Sequence, residues 1–285
     1  PNALIVASQL LFNLQSVARA PMVAEQHYNT DNAMFARMLG PTMNYSCGYW
    51  KDAETLDEAQ RNKMDLICRK LDLKEGMSVL DIGCGWGGLS LYMAKEYGVK
   101  VTGVTISTEQ LAYAREHDAG HLVNWLLEGQ FDRIVSVGMF EHVGRKNYDI
   151  FMKTTKRLLK PSGLFLLHTI GNSKKKTGTD PWINKYIFPN GMLPSPVCVA
   201  KAITGLYVME DWHNFGADYD KTLMAWHQRF EEGYAEGAFQ CSERVRRMYR
   251  YYLLSCAGAF RARDIQLWQI VLSPEGVEGG YCCQR

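Results

Sequence analysis

Apolar and polar positions follow two rhythms along this chain. Up to about residue 71 the period is helical. In H-Y-N-T-D-N-A-M-F-A-R-M-L (27–39) Met34, Phe35, Met38 and Leu39 share one face, and from Leu56 an apolar side runs through Ala59, Met64, Ile67 and Leu71. Thr55 and Glu58 stand at capping-box spacing ahead of the second helix, while G-P at 40–41 and N-Y-S-C-G-Y-W at 44–50 mark a loop. From Met77 short apolar runs alternate with helical stretches: strand 77–82, helix 88–97, strand 100–105, helix 108–116, strand 131–137, helix 145–159 and strand 163–169. K-P-S-G at 160–163 reads as the turn before that last strand. This β-α-β order predicts an α/β fold built on a doubly wound parallel sheet. Residues 172–200 break the rhythm with Gly, Pro and aromatics and read as a cover inserted over the site. A strand near 206–212, helices over about 220–258 and a strand at 265–272 close the domain.

Composition narrows the class. With 285 residues, 47% hydrophobic and 22% charged, the chain buries one large core, or a core carrying a lobe. A net charge of +2 gives no general case for nucleic acid, yet positives cluster at 153–160, 174–176 and 244–250. Such clusters read as solvated faces or as a site for an anionic surface. The eight cysteines (47, 68, 84, 198, 241, 256, 282, 283) form no C-x-x-C pair and no framework, which points to a reduced interior and to no metal site. The apolar start at 3–12 falls short of the roughly 20 residues that span a bilayer, so membrane contact is expected to be peripheral. Residues 1–27 are weakly patterned and read as a helical segment or linker, with 28–285 as the catalytic domain.

The candidate chemistry centres on V-L-D-I-G-C-G-W-G-G (79–88), where a strand breaks into glycine just before a helix. Glycines 83, 85, 87 and 88 permit φ > 0 and close approach to a ligand, and the following helix offers its unpaired N–H groups. Gly83, Gly85 and Gly88 satisfy the dinucleotide spacing G-x-G-x-x-G. Two features argue against a nicotinamide cofactor: Asp81 stands where such folds keep an apolar residue, and the second strand ends G-V-T-I-S (103–107) without an acid for the ribose diol. D-x-G-C-G-x-G resembles motif I of S-adenosylmethionine (SAM) methyltransferases. Ser107 and Gln110 also fit a simple capping box, and Trp86 fits either packing or cofactor contact. The strand at 131–137 runs into V-G-M-F-E-H-V-G (137–144), not the N-P-P-Y of base-methylating enzymes, and so argues against base methylation. Glu141 and His142, with His168 in L-L-H-T-I-G, lie at carboxyl ends of adjacent strands, where the ligand crevice of such sheets opens.

Together with W-I-N-K-Y-I-F-P-N-G (182–191) and D-W-H-N-F-G-A-D-Y (211–219), these blocks resemble the cyclopropane-fatty-acyl-phospholipid synthase family over about residues 24–272. The resemblance implies a Rossmann-like class I SAM methyltransferase, its sheet mostly parallel with an antiparallel final strand, under a helical cover that spans 172–200 and 220–258. It implies transfer of a methylene group from SAM to the cis double bond of a phospholipid acyl chain, closing a cyclopropane ring. By family pattern Tyr45, Ser46, Asp81, Gly83, Gly85, Trp86, Thr105 and Gln110 form the SAM site. Cys47, Glu141, His168, the backbone of Ile170, and Tyr219 would hold a bicarbonate ion that takes a proton from the intermediate carbocation. The resemblance also implies a homodimer, a preceding amino-terminal domain, and peripheral attachment to the cytoplasmic face of a bacterial membrane. The segment 120–131 is shorter than the family pattern, which leaves the adenine contacts open. A sister reaction that resolves the same cation into a methyl-branched or methylene lipid fits these residues too. The non-enzymatic alternative is a lipid-binding protein on a decayed fold, which would fail to bind SAM.

Overall fold

The apolar runs from residue 77 onward lie side by side in one sheet of six strands: β1 (Ser78–Ile82), β2 (Lys100–Val104), β3 (Phe131–Val137), β4 (Leu159–Gly171), β5 (Val208–Asn214) and β6 (Gln266–Ser273). Their spatial order is β2-β1-β3-β4-β6-β5. β1 pairs in parallel with β2 on one side and β3 on the other, and β3 pairs in parallel with β4. β6 runs antiparallel to both β4 and β5. The expected doubly wound sheet with a reversed final strand is therefore present, and its order reverses between β1 and β3, the crevice where such sheets bind ligands. The computed structural model describes residues 32–117, 129–174 and 179–285; the expected amino-terminal segment 1–27, most of the shortened segment 120–131 and part of the 174–176 cluster lie outside the described residues.

Ten helices among the described residues pack around the sheet: α1 (Asn32–Leu39), α2 (Leu56–Lys70), α3 (Gly88–Tyr97), α4 (Thr108–His117), α5 (Phe140–Val143), α6 (Tyr148–Leu158), α7 (Pro181–Tyr186), α8 (Pro196–Ile203), α9 (Ala217–Ala235) and α10 (Glu243–Arg261). Because strand side chains alternate, neighbours along each strand serve opposite layers. Val79, Val135, Leu166 and Val271 meet Met64, Ile67 and Met93 of α2 and α3. Leu80, Ile134, Leu167 and Ile270 meet Met152 of α6 and Val199 of α8. Both faces are covered, which explains why these strands read as nearly unbroken apolar runs. A third, aromatic cluster joins α1, α9 and α10 through Phe35, Trp226, Phe230, Tyr249 and Phe260. The α2 capping box forms as its spacing predicts: Thr55 accepts from the Glu58 N–H, and the Glu58 carboxylate accepts from the Thr55 N–H.

Two boundaries differ from expectation. The helix expected over 145–159 begins only at Tyr148, after α5 and a 3₁₀ turn at Arg145–Asn147, because Gly144 takes φ 75°, ψ 146° and interrupts the helical path. K-P-S-G is not a turn ahead of the strand. β4 already pairs at Leu159↔Phe131 and resumes at Leu164↔Arg133, so the intervening residues bulge within it. The Lys160 ammonium fastens this bulge, 2.7 Å from the Asp132 carboxylate.

Candidate active site

The glycine loop joins β1 to α3 above the switch point. Gly85 takes φ +58°, with open space where a Cβ would project, as a loop needs if a ligand is to lie against its backbone. Gly88 serves a different purpose from the one expected: its φ is not positive, and a Cβ there would overlap the Thr42 carbonyl oxygen. It lets residues 42–46 press against the start of α3. Asp81, at the end of β1, is buried; its Oδ2 accepts from Ser90 Oγ at 2.7 Å, tying strand to helix. Burial raises its carboxyl to about 6, opposed by the Ser90 bond and the charge of Lys63. Thr105 Oγ1 donates to Gln110 Oε1 at 3.0 Å, while Ser107 Oγ accepts the Gln110 N–H at 3.2 Å. Ser107 thus caps the helix, whereas the Gln110 side chain turns to Thr105. Trp86 is buried, packs 5.0 Å from Phe35 and donates from Nε1 to Asn32 Oδ1 at 3.2 Å.

Beyond the loop opens a cavity of about 560 Å³, walled by Tyr45, Ser46, Glu141, His168, Ile170 and Tyr219 among others. Six of the thirteen sequence-predicted site residues therefore meet in one space. The glycine loop reaches it through the Gly138–Met139 turn: Gly138 lines the cavity, and a Cβ on Gly83 would stand 2.9 Å from the Met139 Cβ. Cys47 sits outside the cavity lining. Its buried thiol lies 3.1 Å from the Gly48 carbonyl and 3.8 Å from Thr222 Oγ1, and burial pushes it well up, which keeps it neutral.

Glu141 sits at the start of α5, with Oε1 accepting the Ile170 N–H at 2.6 Å. Its Oε2 is buried without a hydrogen-bond partner, and burial raises the carboxyl to about 7. The Ile170 N–H is committed to this carboxylate, so it acts on the site by orienting Glu141. The Glu141 carbonyl also accepts the Met192 N–H at 2.8 Å, binding the cover segment to the acid. His168 faces Gln269 across the β4–β6 pair, Nδ1 to Nε2 at 3.3 Å. With the Gln269 amide nitrogen facing it, Nδ1 accepts and the ring hydrogen is assigned to Nε2; Nε2 and Gln269 Oε1 are both buried without a hydrogen-bond partner. Burial holds the imidazole neutral, and the charges of Lys63 and Lys70 push the same way. His142, which also lines the cavity, is held down to about 4 by burial. One wall of the cavity therefore presents an unfilled acceptor and an unfilled donor, which fits a small oxyanion such as bicarbonate.

The remaining wall is aromatic. Tyr45 OH and Tyr252 OH are 3.1 Å apart, Tyr45 lies 5.2 Å from Trp226, and Tyr219 lies 4.5 Å from Phe260. Sequence reasoning missed Tyr252, Gln269 and a buried pair on α2, Gln60 and Lys63. Signals existed for two of them: Gln269 interrupts the apolar run of β6, and Lys63 falls on the apolar side of α2, four residues from both Ala59 and Ile67.

The family model described as mycolic acid cyclopropane synthetase matches residues 15–270. The chain is 59% identical over 285 residues to the cyclopropane-fatty-acyl-phospholipid synthase of Escherichia coli strain K12, covering 98% of this chain and 74% of the relative. It is 37% identical over 265 residues to a probable fatty acid methyltransferase of Pseudomonas putida, covering 86% and 67%. Among solved structures, mycolic acid cyclopropane synthase CmaA1 complexed with SAH and CTAB superposes with a TM-score of 0.79 at 32% identity, covering 88% of this chain and 97% of that one. With the doubly wound sheet, the glycine loop and this breadth of similarity in agreement, the chain belongs to the mycolic acid cyclopropane synthetase family.

Proposed function

We propose that this protein is a SAM-dependent cyclopropane synthase acting on cis-unsaturated acyl chains of membrane phospholipids. The observation that carries the reading is the unfilled Glu141 Oε2 and His168 Nε2 in the wall of an aromatic cavity beside a methyltransferase glycine loop. The open backbone at Gly85, with Gly83, Tyr45, Ser46, Thr105 and Gln110, fits SAM, which when bound supplies an electrophilic methyl group. Leu223, Ile183, Ile265 and Leu267 give the cavity apolar walls that hold the chain and exclude water. An isolated alkene is a weak nucleophile, so holding its double bond in line with the methyl carbon is the main service of those walls. With SAM bound, the alkene π pair would form the new C–C bond as the methyl–sulfur bond breaks and its electron pair goes to the sulfur of S-adenosylhomocysteine, which would leave a cation on the neighbouring alkene carbon. Tyr45 and Tyr219, which line the cavity, would ease it with their ring faces, and burial pushes the Tyr219 phenol well up, keeping that ring neutral. A proton then leaves the new methyl group and the ring closes. A carboxylate against a carbocation invites alkylation; bicarbonate held by Glu141 and the His168 Nε2–H supplies an exchangeable base in its place. Ile170 and Gln269 fix those two side chains.

The exposed side of α10 offers a membrane-facing surface. Arg244, Arg247, Arg250 and Tyr251, the last 56% exposed, lie on the helix whose Tyr251 and Ser255 line the cavity. A basic and aromatic face at the mouth of an acyl cavity suits the anionic inner face of a bacterial membrane, approached from the cytoplasm. No described helix is long and apolar enough to cross a bilayer. Sedimentation of the full chain tests the homodimer.

The similarity to a probable fatty acid methyltransferase supports one second reading, in which the cation yields a methyl-branched or methylene chain. Vesicles of cis-monounsaturated phospholipid with SAM separate the two. The expected product gains one CH2 per modified chain and shows ring-proton NMR signals; a product of the same mass that keeps a C=C, with methylene or methyl-branched alkene signals and no ring protons, overturns the cyclopropane reading.

A further inference from the structure

We propose that Lys63 is a positioning residue for the SAM side of the site: its ammonium holds Asn44 and Ser46 down on α2 and so sets Tyr45 and Ser46 against the glycine loop. The inference rests on the SAM reading given above. Lys63 is fully buried, and its Nζ donates to Asn44 Oδ1 at 2.8 Å and to Ser46 Oγ at 3.0 Å. One turn earlier on the same helix face, Gln60 Nε2 donates to the Ser46 carbonyl at 2.8 Å. Two side chains of one helix thus grip the segment that carries Tyr45 into the cavity wall. Asn44 passes the constraint on, because its Nδ2 donates to the Thr42 carbonyl at 3.1 Å, the oxygen against which Gly88 packs. Lys63 is also close enough for its charge to favour the ionised form of Asp81, the acid in β1 that holds Ser90 of α3. Lys63 stands between the two segments that meet at the donor end of the site, and it lines neither the cavity nor the surface.

Burying an amine is costly, enough here to hold Lys63 down to about 7, and an apolar residue of similar length would suit the Met64 and Ile67 side of α2 at least as well for packing alone. What an apolar residue cannot do is satisfy Asn44 Oδ1 and Ser46 Oγ together and balance Asp81. A long side chain ending in several N–H donors therefore answers to the geometry of residues 44–46 and not to the volume of the core.

The test compares full-length native protein with Lys63→Met, Ser46→Ala and the double variant. Calorimetric SAM affinity, the KM for each substrate and kcat are read, with melting followed by circular dichroism. Lys63→Met is expected to weaken SAM binding by about tenfold, raise the SAM KM by a similar factor and leave the phospholipid KM in place. Ser46→Ala should add little to Lys63→Met, because one interaction is removed twice. A folded Lys63→Met that binds SAM as native does, or that shifts both KM values equally, overturns the proposal. If Lys63→Met does not fold, Lys63→Gln is read in its place: a loss of about threefold or more in SAM affinity supports the proposal, and native affinity overturns it. Native protein that binds no SAM would overturn the functional reading itself, an outcome distinct from a normal Lys63 variant.

Discussion

Glu141→Gln should make the protein more stable at alkaline pH while disabling it. Burial is the largest influence on this carboxyl and raises it from 4.5 to about 7, even though the Ile170 N–H, its own backbone N–H and the Thr169 hydroxyl favour the charged form. At about 1.4 kcal/mol per tenfold change in proton affinity, the folded state prefers the neutral form by about 3 kcal/mol. The sign follows from linkage: below the unfolded-state value both states are protonated and there is no penalty, and as pH rises through about 7 the folded state must carry a buried charge. Stability contributed by the neutral acid is thus present in acid and lost toward alkali. Glutamine keeps the shape and an oxygen for the Ile170 N–H but never ionises. Urea denaturation of both proteins in degassed buffer without SAM, at about pH 5.5 and about pH 8, isolates the effect, since other titrating groups cancel in the difference. The advantage of the Gln variant should widen by about 2 kcal/mol across that interval, alongside a large loss of kcat. A gap that does not change with pH, or a Gln variant less stable at pH 8, would refute the claim that this wall leaves the charge unsatisfied.

Other outcomes follow from particular contacts. Gly88→Ala drives a Cβ into the Thr42 carbonyl and should cost about 1–3 kcal/mol along with SAM affinity, whereas Gly85→Ala meets open space and should cost only about 1 kcal/mol of left-handed strain; urea midpoints in the reverse order would contradict this. Gln269→Leu removes the donor to His168 Nδ1 and frees the ring to switch tautomer, so kcat should fall about tenfold with the SAM KM unchanged; an unaltered kcat dismisses the assigned tautomer. Replacing Arg244, Arg247 and Arg250 with Gln should weaken flotation with anionic vesicles by about 1 kcal/mol per charge at low salt and flatten the salt dependence, while a salt-independent native protein removes α10 as the docking face.

The sheet was legible because each strand is a short apolar run between turn residues, and burial on both faces removes any ambiguity about its two-sidedness. The donor loop was legible for a related reason: Asp81 and the glycines are local signals, written within ten residues. Glu141 and His168 stood out as polar groups at strand ends. Lys63 was harder to see because one cation on the apolar side of a helix already carrying Asp57, Glu58, Arg61 and Asp65 looks like a solvated charge until residues 44–46 are laid over it. Tyr252 is in the same position, since its partner Tyr45 lies 207 residues away and only the fold joins them. The K-P-S-G bulge misled because four turn-forming residues can interrupt a strand without ending it; what decides is whether Leu159 finds Phe131 across the sheet.

The hydrogen bond from Met192 to the Glu141 carbonyl makes lid and acid parts of one mechanical unit. On the proposed reading, a lipid tail that displaced the 179–193 segment would pull on the residue assigned to orient the base, and loading and arming would share a single coordinate. The exchange rate of one amide proton, that of Met192, would then gauge how closely the segment is held to Glu141 before any bond to carbon is made.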